Sequence, residues 1–288
     1  MKEFMVFVPR SVDEALEFLD TEKGSVILAG GSDLVVKLKE RKLTPKYVVD
    51  ISHIDELRFI KEDGDYIVLG PLMTHEELRL SPFIMEFAPI LHEALSQLGS
   101  PQIRNIGTIG GNIVTASPVA DSVPPLFVLD ATLKLQKKSG KRVVHISEFG
   151  IGPQKTIIER NELLTEIKFK KMGAHEVGFF RKLGQRKALS IAKVSVAMWA
   201  MVKNDTIEDI SIALGAVAPK VVYAKNGMST LKGKPITPEN IKEAANVIAE
   251  RDCSPITDIR STVDYRRAMT SSLFIDGCER VFGVSVEV

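Results

Sequence analysis

Two pairs of adjacent glycines carry the clearest chemical signal in this sequence of 288 residues. The stretches AGGSD (29–33) and TIGGN (108–112) each place two glycines beside small hydroxyl or amide side chains. Glycine permits positive φ, and successive N–H groups in such a turn form a nest that binds an anion. Two nests facing each other would suit a pyrophosphate, which needs donors on both sides. The alternative interpretation is that each pair only forms a tight turn or allows close packing.

The commoner nucleotide signatures do not fit either stretch. GxGxxG fails at both pairs and GxxxxGK[ST] is absent from the sequence, so neither a Rossmann site nor a P-loop is predicted. Shortly after the second pair, ASPVAD supplies Ser117 and Asp121. A carboxylate there could accept hydrogen bonds from ribose or ribityl hydroxyls. The alternative for Asp121 is a helix N-cap.

The elements that would position these residues can be predicted from hydrophobic spacing and capping signals. Residues 27–40 predict a strand, a glycine turn and a helix, and Lys46–Ser52 predicts a further strand. Ser11 with Glu14 predicts a capping box, and Thr74 predicts the cap of another helix. Residues 88–99 predict a helix closed by glycine, whereas 151–169 predict a loop followed by a strand.

The pattern breaks at Lys170–Glu176, where we place a domain boundary. Beyond it the sequence predicts helices packed against a short antiparallel sheet, ending in a helix within 261–282.

Composition excludes several classes of function. The net charge of +1 gives no general affinity for nucleic acid or membranes, and the one local basic stretch is Arg181–Lys187. No apolar run reaches the roughly 20 residues of a membrane span, and no signal peptide is recognisable, so we expect a cytoplasmic protein. Cys253 and Cys278 lack metal-ligand spacing and are expected to be buried thiols. We predict no metal site and no catalytic acid–base or nucleophile residue in this chain.

Three stretches of the sequence resemble a known family. AGGSDL (29–34), IRNIGTIGGNIVTASPVADSVPPL (103–126) and FFRKLGQRKALSIAKVSVA (179–197) look like the FAD-binding subunit of the molybdenum hydroxylases. That family includes the medium subunit of carbon monoxide dehydrogenase and the flavin domain of xanthine dehydrogenase. The likeness covers almost the whole chain, with DIRSTVDYRRAM (258–269) also in the expected place, and TIGGN followed by ASPxAD is its most distinctive part.

The resemblance implies an α+β fold. It implies an FAD-binding domain of the vanillyl-alcohol-oxidase and MurB (PCMH) type over residues 1–172, in two lobes of about 1–55 and 56–172. A smaller α+β domain of the carbon monoxide dehydrogenase flavoprotein type is expected over residues 176–285.

The resemblance also implies roles for individual residues in binding FAD. The two glycine turns would bind the pyrophosphate, Asp121 the sugar hydroxyls, and a leucine of the ELL segment would pack near the flavin or adenine, with Leu164 preferred over Leu163. Lys182 would approach the flavin, but the usual Tyr two residues earlier is Phe180 here. The full set of expected cofactor-binding residues is Leu28, Ala29, Gly30, Gly31, Ser32, Asp33, Leu34, Thr108, Ile109, Gly110, Gly111, Asn112, Ser117, Asp121, Leu164, Phe180 and Lys182.

The function implied by the resemblance is electron transfer within a complex. A large subunit with molybdenum cofactor would oxidise the substrate, and a small [2Fe–2S] subunit would pass electrons to FAD on this chain. From there they would go to NAD+ or another acceptor. Some relatives carry a cysteine-rich insert that binds a cluster, and this chain lacks it. The alternative is a stand-alone flavin reductase or oxidase similar to MurB, which would need its own substrate pocket.

Overall fold

The computed structural model describes residues 3–186 and 189–287, so Lys187 of the basic stretch lies outside the described residues. The chain opens with a small parallel sheet of order β1-β3-β2. The first elements are β1 (Met5–Phe7), α1 (Val12–Thr21), β2 (Ser25–Leu28), α2 (Leu34–Lys39) and β3 (Tyr47–Asp50), with a 3-10 turn at Asp55–Leu57. The predicted strand, glycine turn and helix over 27–40 are confirmed, as is the strand within 46–52.

The predicted capping box at the start of α1 forms only by half. Ser11 Oγ accepts the N–H of Glu14 at 3.1 Å, so Ser11 is the N-cap as predicted. The Glu14 carboxylate instead accepts the N–H of Arg10 at 2.7 Å. At Thr74 both halves of the box are present, and this prediction is confirmed in full.

The second lobe is an antiparallel sheet of order β4-β5-β10-β6-β7 covered by short helices. Sheet and helix residues share one apolar core. The elements are β4 (Ile60–Asp63), β5 (Tyr66–Leu69), α3 (His75–Arg79), α4 (Pro82–Phe87), α5 (Pro89–Gln97), α6 (Pro101–Ile106), α7 (Ile109–Thr115), α8 (Val123–Val128), β6 (Thr132–Lys137), β7 (Gly140–His145), α9 (Ile146–Phe149), β8 (Gly150–Gly152), β9 (Lys155–Thr156) and β10 (Leu163–Lys170).

Helices α7 and α8 were not predicted from the sequence, because their segment is rich in glycine, proline and other small residues. The prolines of α8 lie in its first turn, where a missing N–H costs nothing. The two glycines of TIGGN lie in the first turn of α7. Residues that usually interrupt helices therefore stand here at helix starts.

The remaining residues form an antiparallel sheet of order β11-β12-β13-β14. One core joins this sheet to the last helices, while Phe180, Ala197 and Ala213 belong to the core shared with α5 and α8. The elements are β11 (Glu176–Leu183), β12 (Val194–Lys203), β13 (Thr206–Gly215), β14 (Val222–Tyr223), α10 (Lys225–Leu231), α11 (Pro238–Val247), a π-helical turn (Ile248–Asp252) and α12 (Val263–Phe282).

This architecture is α+β, as predicted. Helices do pack against an antiparallel sheet beyond residue 176, although its strands reach 10 residues and are not short. The expected domain boundary coincides with the connection between β10 and β11. Cys253 and Cys278 are both buried and unpaired, as predicted, and burial raises the pKa of the Cys253 thiol to about 11.

Candidate functional site

A cavity of about 620 Å³ brings most of the predicted residues together. Its volume is typical of a site for a large organic ligand. The predicted residues that line it are Ala29, Gly30, Gly31, Ser32, Asp33, Leu34, Thr108, Gly110, Gly111, Asn112, Ser117, Asp121 and Leu164. Four predicted residues are not among those that line it: Leu28, Ile109, Phe180 and Lys182.

The first glycine turn joins β2 to α2 and offers free hydrogen-bond donors. Gly31 has φ of +73°, a conformation that glycine adopts without strain. Within the described parts of the chain, no hydrogen bond uses the backbone N–H groups of residues 30–34. This stretch of five unpaired donors lines the cavity. It has the chemistry of an anion-binding nest.

The second glycine pair has a different conformation, and its N–H groups do not form the anion-binding nest that the sequence predicted. Neither Gly110 nor Gly111 has positive φ, because both are helical residues of α7. The N–H of Gly111 donates to Thr108 Oγ1 at 3.1 Å and that of Gly110 to the Pro71 carbonyl at 3.0 Å. The N–H groups of Ile109 and Asn112 are likewise paired, with carbonyls. The donors of TIGGN are therefore already used within the chain.

The space around each glycine shows whether a side chain would fit there. A Cβ on Gly30 would lie 1.7 Å from the Ile106 carbonyl oxygen, and one on Gly110 would lie 2.4 Å from Cβ of Pro71. These two glycines permit close packing of the backbone. At Gly111 a Cβ would meet only Thr108 Oγ1, at 2.9 Å. Since Gly111 lines the cavity, a side chain there would occupy space that a ligand could fill.

Asp121 lies on the cavity wall with only one of its oxygens paired. Oδ2 accepts a hydrogen bond from Lys182 Nζ at 2.5 Å, whereas Oδ1 is buried without a partner within the described chain. Burial raises the pKa of Asp121 to about 6, and Lys182 opposes that rise. The N-cap of α8 is Ser122, so the alternative role of Asp121 as a helix cap is not supported. The free oxygen can accept a hydrogen bond from a ligand.

His75 is a cavity residue that the sequence prediction missed. It is 3% exposed, and its Nδ1 is buried without a hydrogen-bond partner within the described chain. Burial lowers the pKa of His75 to about 4, assisted by the charge of Arg104, so the ring is neutral at pH 7. The backbone N–H of His75 donates to the Gly107 carbonyl, next to TIGGN. The sequence marks this position only as the first residue after the Thr74 cap.

The remaining predicted residues separate into cavity wall and core. Leu163 and Leu164 both line the cavity, so its shape does not select one of them. Phe180 is fully buried in the shared core, and its N–H donates to the Glu93 carboxylate at 2.9 Å. Lys182 does not line the cavity, but its Nζ donates to Asp121, which does.

Two further properties bear on the class of site. Over residues 3–186 and 189–287, no cluster of three or more His, Cys, Asp or Glu side chains could hold a metal ion. Within the same ranges no helix has the length and apolarity needed to cross a membrane.

Comparisons with known proteins identify the family. The sequence model of a family described as the FAD-binding domain in molybdopterin dehydrogenase matches residues 2–169. A second family, the carbon monoxide dehydrogenase flavoprotein C-terminal domain, matches residues 179–281.

Two of the relatives match this chain over almost their whole length. The chain is 32% identical to the nicotinate dehydrogenase FAD-subunit of Eubacterium barkeri, covering 95% of this chain and 94% of that protein. It is 33% identical to the carbon monoxide dehydrogenase medium chain of Hydrogenophaga pseudoflava, covering 94% of each. A solved structure of carbon monoxide dehydrogenase from the same organism superposes with a TM-score of 0.94 at 31% identity, covering 98% of both chains.

Proposed function

Since the chain belongs to the family of FAD-binding subunits of molybdenum hydroxylases, with FAD as its cofactor, we propose that it transfers electrons between a [2Fe–2S] partner and a final acceptor. The donor would be a small iron–sulfur subunit, and a large subunit with molybdenum cofactor would oxidise the substrate. The acceptor is proposed to be NAD+ or another oxidant. Relatives named as medium chains, which imply companion chains, support this assignment.

The observation that carries the proposal is the first glycine turn. Its unpaired N–H groups at residues 30–34 line a cavity large enough for a dinucleotide. We propose that they donate to the FAD diphosphate, since backbone N–H groups bind oxyanions with charge-assisted hydrogen bonds. TIGGN would form the opposite wall, and Gly111 would leave room there for the cofactor.

The other cavity residues fit the remaining parts of FAD. Asp121 Oδ1 would accept a hydrogen bond from a sugar hydroxyl, because it is a buried acceptor without a partner of its own. The apolar side chains of Leu163 and Leu164 would pack against a ring system. Phe180 would support this wall from the core and would not touch the cofactor.

FAD, when bound, supplies the redox chemistry and can exchange electrons singly or in pairs. The residues of this chain bind it, orient it and limit its access to water. The cavity contains no arrangement of nucleophile and base in hydrogen-bond contact among the described residues. This fits a role in which the organic substrate is oxidised on another subunit. We also propose the division into an FAD-binding domain before the β10–β11 connection and a C-terminal domain after it.

The first test is the absorption spectrum of the purified chain and its fate on denaturation. We expect a flavin spectrum, with free FAD in the supernatant after acid precipitation, because the sequence has no recognisable histidine or cysteine attachment site and His75, the histidine that lines the cavity, is only 3% exposed. Flavin that remains on the precipitated polypeptide would contradict non-covalent binding. A colourless protein that FAD does not reconstitute would contradict the cofactor site itself.

A second test separates the subunit from a stand-alone flavin reductase. The isolated chain should not oxidise purines, aldehydes or carbon monoxide, although it is expected to pass electrons from NADH to an artificial dye. Adding the [2Fe–2S] and molybdenum subunits should restore oxidation of the complex's substrate. Substrate oxidation by this chain alone, with metals chelated, would overturn the proposal in favour of a self-contained enzyme.

A further inference from the structure

The ammonium group of Lys182 is enclosed by the protein at the edge of the cavity. Its side chain is 6% exposed, and Nζ donates to Asp121 Oδ2 at 2.5 Å and to the Gln97 carbonyl at 2.9 Å. Lys182 itself is not among the residues that line the cavity, whereas Asp121 is. The lysine therefore meets the cavity wall through the aspartate.

These three residues come from three separate parts of the fold. Lys182 lies on β11, Gln97 is the last residue of α5, and Asp121 lies in the connection between α7 and α8. A cation beside the last carbonyls of a helix is favourable, because that end of the helix carries partial negative charge. One ammonium group thus ties the C-terminal sheet to a helix and to the aspartate loop.

The Asp121 carboxylate depends on this cation for its charge. Burial disfavours the ionised form and raises the pKa of Asp121, while the charge and hydrogen bond of Lys182 act in the opposite direction. Among the described residues Lys182 is the one charged group that acts appreciably on Asp121. With the lysine in place, Asp121 is ionised at pH 7 and its Oδ1 is free.

We propose that Lys182 is a positioning residue of the cofactor site, which fixes the Asp121 carboxylate so that Oδ1 remains an ionised acceptor for an FAD hydroxyl. This inference rests on the proposed location of FAD in the cavity. It differs from the role implied by family resemblance, in which Lys182 itself approaches the flavin. On this proposal the lysine acts on the cofactor through Asp121, with which its Nζ is in direct contact.

A double-mutant cycle distinguishes the two roles. FAD affinity would be measured by flavin fluorescence for apo-proteins of the wild type, Lys182→Met, Asp121→Asn and the double variant. Each single variant should bind FAD about 10- to 100-fold more weakly, as expected for loss of a hydrogen bond to a charged group. The FAD affinity of the double variant should lie within about threefold of that of the more weakly binding single variant, because both changes remove the same interaction.

Losses that multiply in the double variant would overturn the proposal, since they would show that Lys182 contacts FAD independently of Asp121. Lys134→Met is the matched control, because Lys134 pairs with Glu166 away from the cavity. It should leave FAD affinity unchanged. If Lys182→Met does not fold, Lys182→Gln serves in its place, since it keeps a donor for the Gln97 carbonyl but carries no charge.

The pH profile of FAD affinity gives a readout that a merely structural lysine would not change. Wild-type affinity should be constant above about pH 7 and should fall as Asp121 is protonated near pH 6. Removing the cation raises the pKa of Asp121 further, so in Lys182→Met the fall should begin at least one pH unit higher. Lys182→Arg should restore the wild-type profile.

An unshifted profile in Lys182→Met would contradict the proposal. FAD binding by the wild type also distinguishes failure of the proposed function from failure of the positioning role of Lys182. A wild-type chain that binds no FAD would reject the proposed function, whereas normal wild-type binding with independent losses would reject only the positioning role.

Discussion

The two glycine turns look alike in sequence and differ in what they present to the cavity. AGGSD leaves its backbone donors unpaired and uses positive φ at Gly31, whereas TIGGN starts a helix whose first N–H groups are all bonded within the chain. The difference lies in the neighbours. Thr108 caps α7, and the carbonyls of Met73 and Pro71 receive its next two donors, while Asp33 at the start of α2 makes no side-chain cap. Similar sequences thus leave the backbone N–H groups unpaired in the first turn and hydrogen-bonded within the chain in the second.

The two glycines of each pair also have different structural roles. The first glycine of each pair permits close packing against neighbouring chain, at Ile106 for Gly30 and at Pro71 for Gly110. The second glycine differs between the turns, because Gly31 adopts a left-handed conformation whereas the lack of a side chain at Gly111 leaves open space. Substitutions at these positions should therefore have different effects on stability and on FAD binding.

The largest effect is expected for Gly30→Ala, which should destabilise the fold by about 3 kcal/mol or more. The new Cβ would lie 1.7 Å from the Ile106 carbonyl oxygen, so the backbone of the first turn or that of Ile106 would have to move. Chemical denaturation of the apo-protein measures the loss. Gly140→Ala, at a position with open space, is the control and should change stability by less than about 0.5 kcal/mol. Equal stability of the two variants would contradict the close packing of Gly30 against Ile106.

A pH-dependent loss of stability is expected from His75, whose ring is buried at the start of α3. Its pKa is about 4 in the fold and near 6.5 when unfolded, so the unfolded chain binds the proton more readily between these values. Stability from this group is full above pH 6.5 and falls by about 2 kcal/mol by pH 5. His75→Gln should therefore flatten the pH dependence of unfolding between pH 6.5 and 5. An unchanged slope would show that His75 is not buried neutral.

Gly31→Ala should cost about 1–2 kcal/mol, because a residue with a side chain is strained at φ of +73°. It should also weaken FAD binding, since residues 30–34 present their donors only in this conformation. Gly31→Asn is the matched comparison, because Asn tolerates left-handed φ better than Ala. Urea denaturation and FAD titration of both variants test this. A Gly31→Ala protein as stable as Gly31→Asn would argue against a strained turn.

The smallest effect is expected for Thr108→Ala, at about 1 kcal/mol, which is typical for loss of a helix N-cap. The hydroxyl bonds the Gly111 N–H, so its removal frees one donor of the second turn. Apo-protein stability should fall while FAD binding is largely kept, because the diphosphate donors belong to the first turn. A large selective loss of FAD would show that the second turn takes part in binding more directly.

The sequence predicted the first glycine turn and the helix caps, because glycine pairs, capping residues and hydrophobic spacing are local signals. That the two glycine stretches, Asp121 and Leu164 share one site was implied by the family resemblance, and the cavity brings these residues together. The sequence did not predict that TIGGN is helical, since glycine lowers helix propensity and the compensating bonds come from distant carbonyls at Met73 and Pro71. His75 gave no signal, because a buried ring without a partner is a tertiary property. The Lys182–Asp121 contact spans 61 positions and could not be read from spacing.

Phe180 illustrates the limit of transferring roles by resemblance. An aromatic residue two positions before Lys182 was expected near the cofactor, and the residue is aromatic. Its ring is fully buried in the core and does not line the cavity. Alternation along β11 places Phe180 and Lys182 on the same face, where the first fills the core and the second reaches Asp121.

The most direct test of the cavity between the two turns as the FAD site is Gly111→Val, measured by FAD affinity and by thermal unfolding of the stripped protein. A Cβ there would meet only Thr108 Oγ1, at 2.9 Å, and would otherwise stand in open space beside TIGGN. We predict apo-protein stability within about 1 kcal/mol of wild type, together with FAD binding weakened by about 100-fold or more. Gly140→Val should keep both properties. A folded Gly111→Val protein with normal FAD affinity would contradict the account.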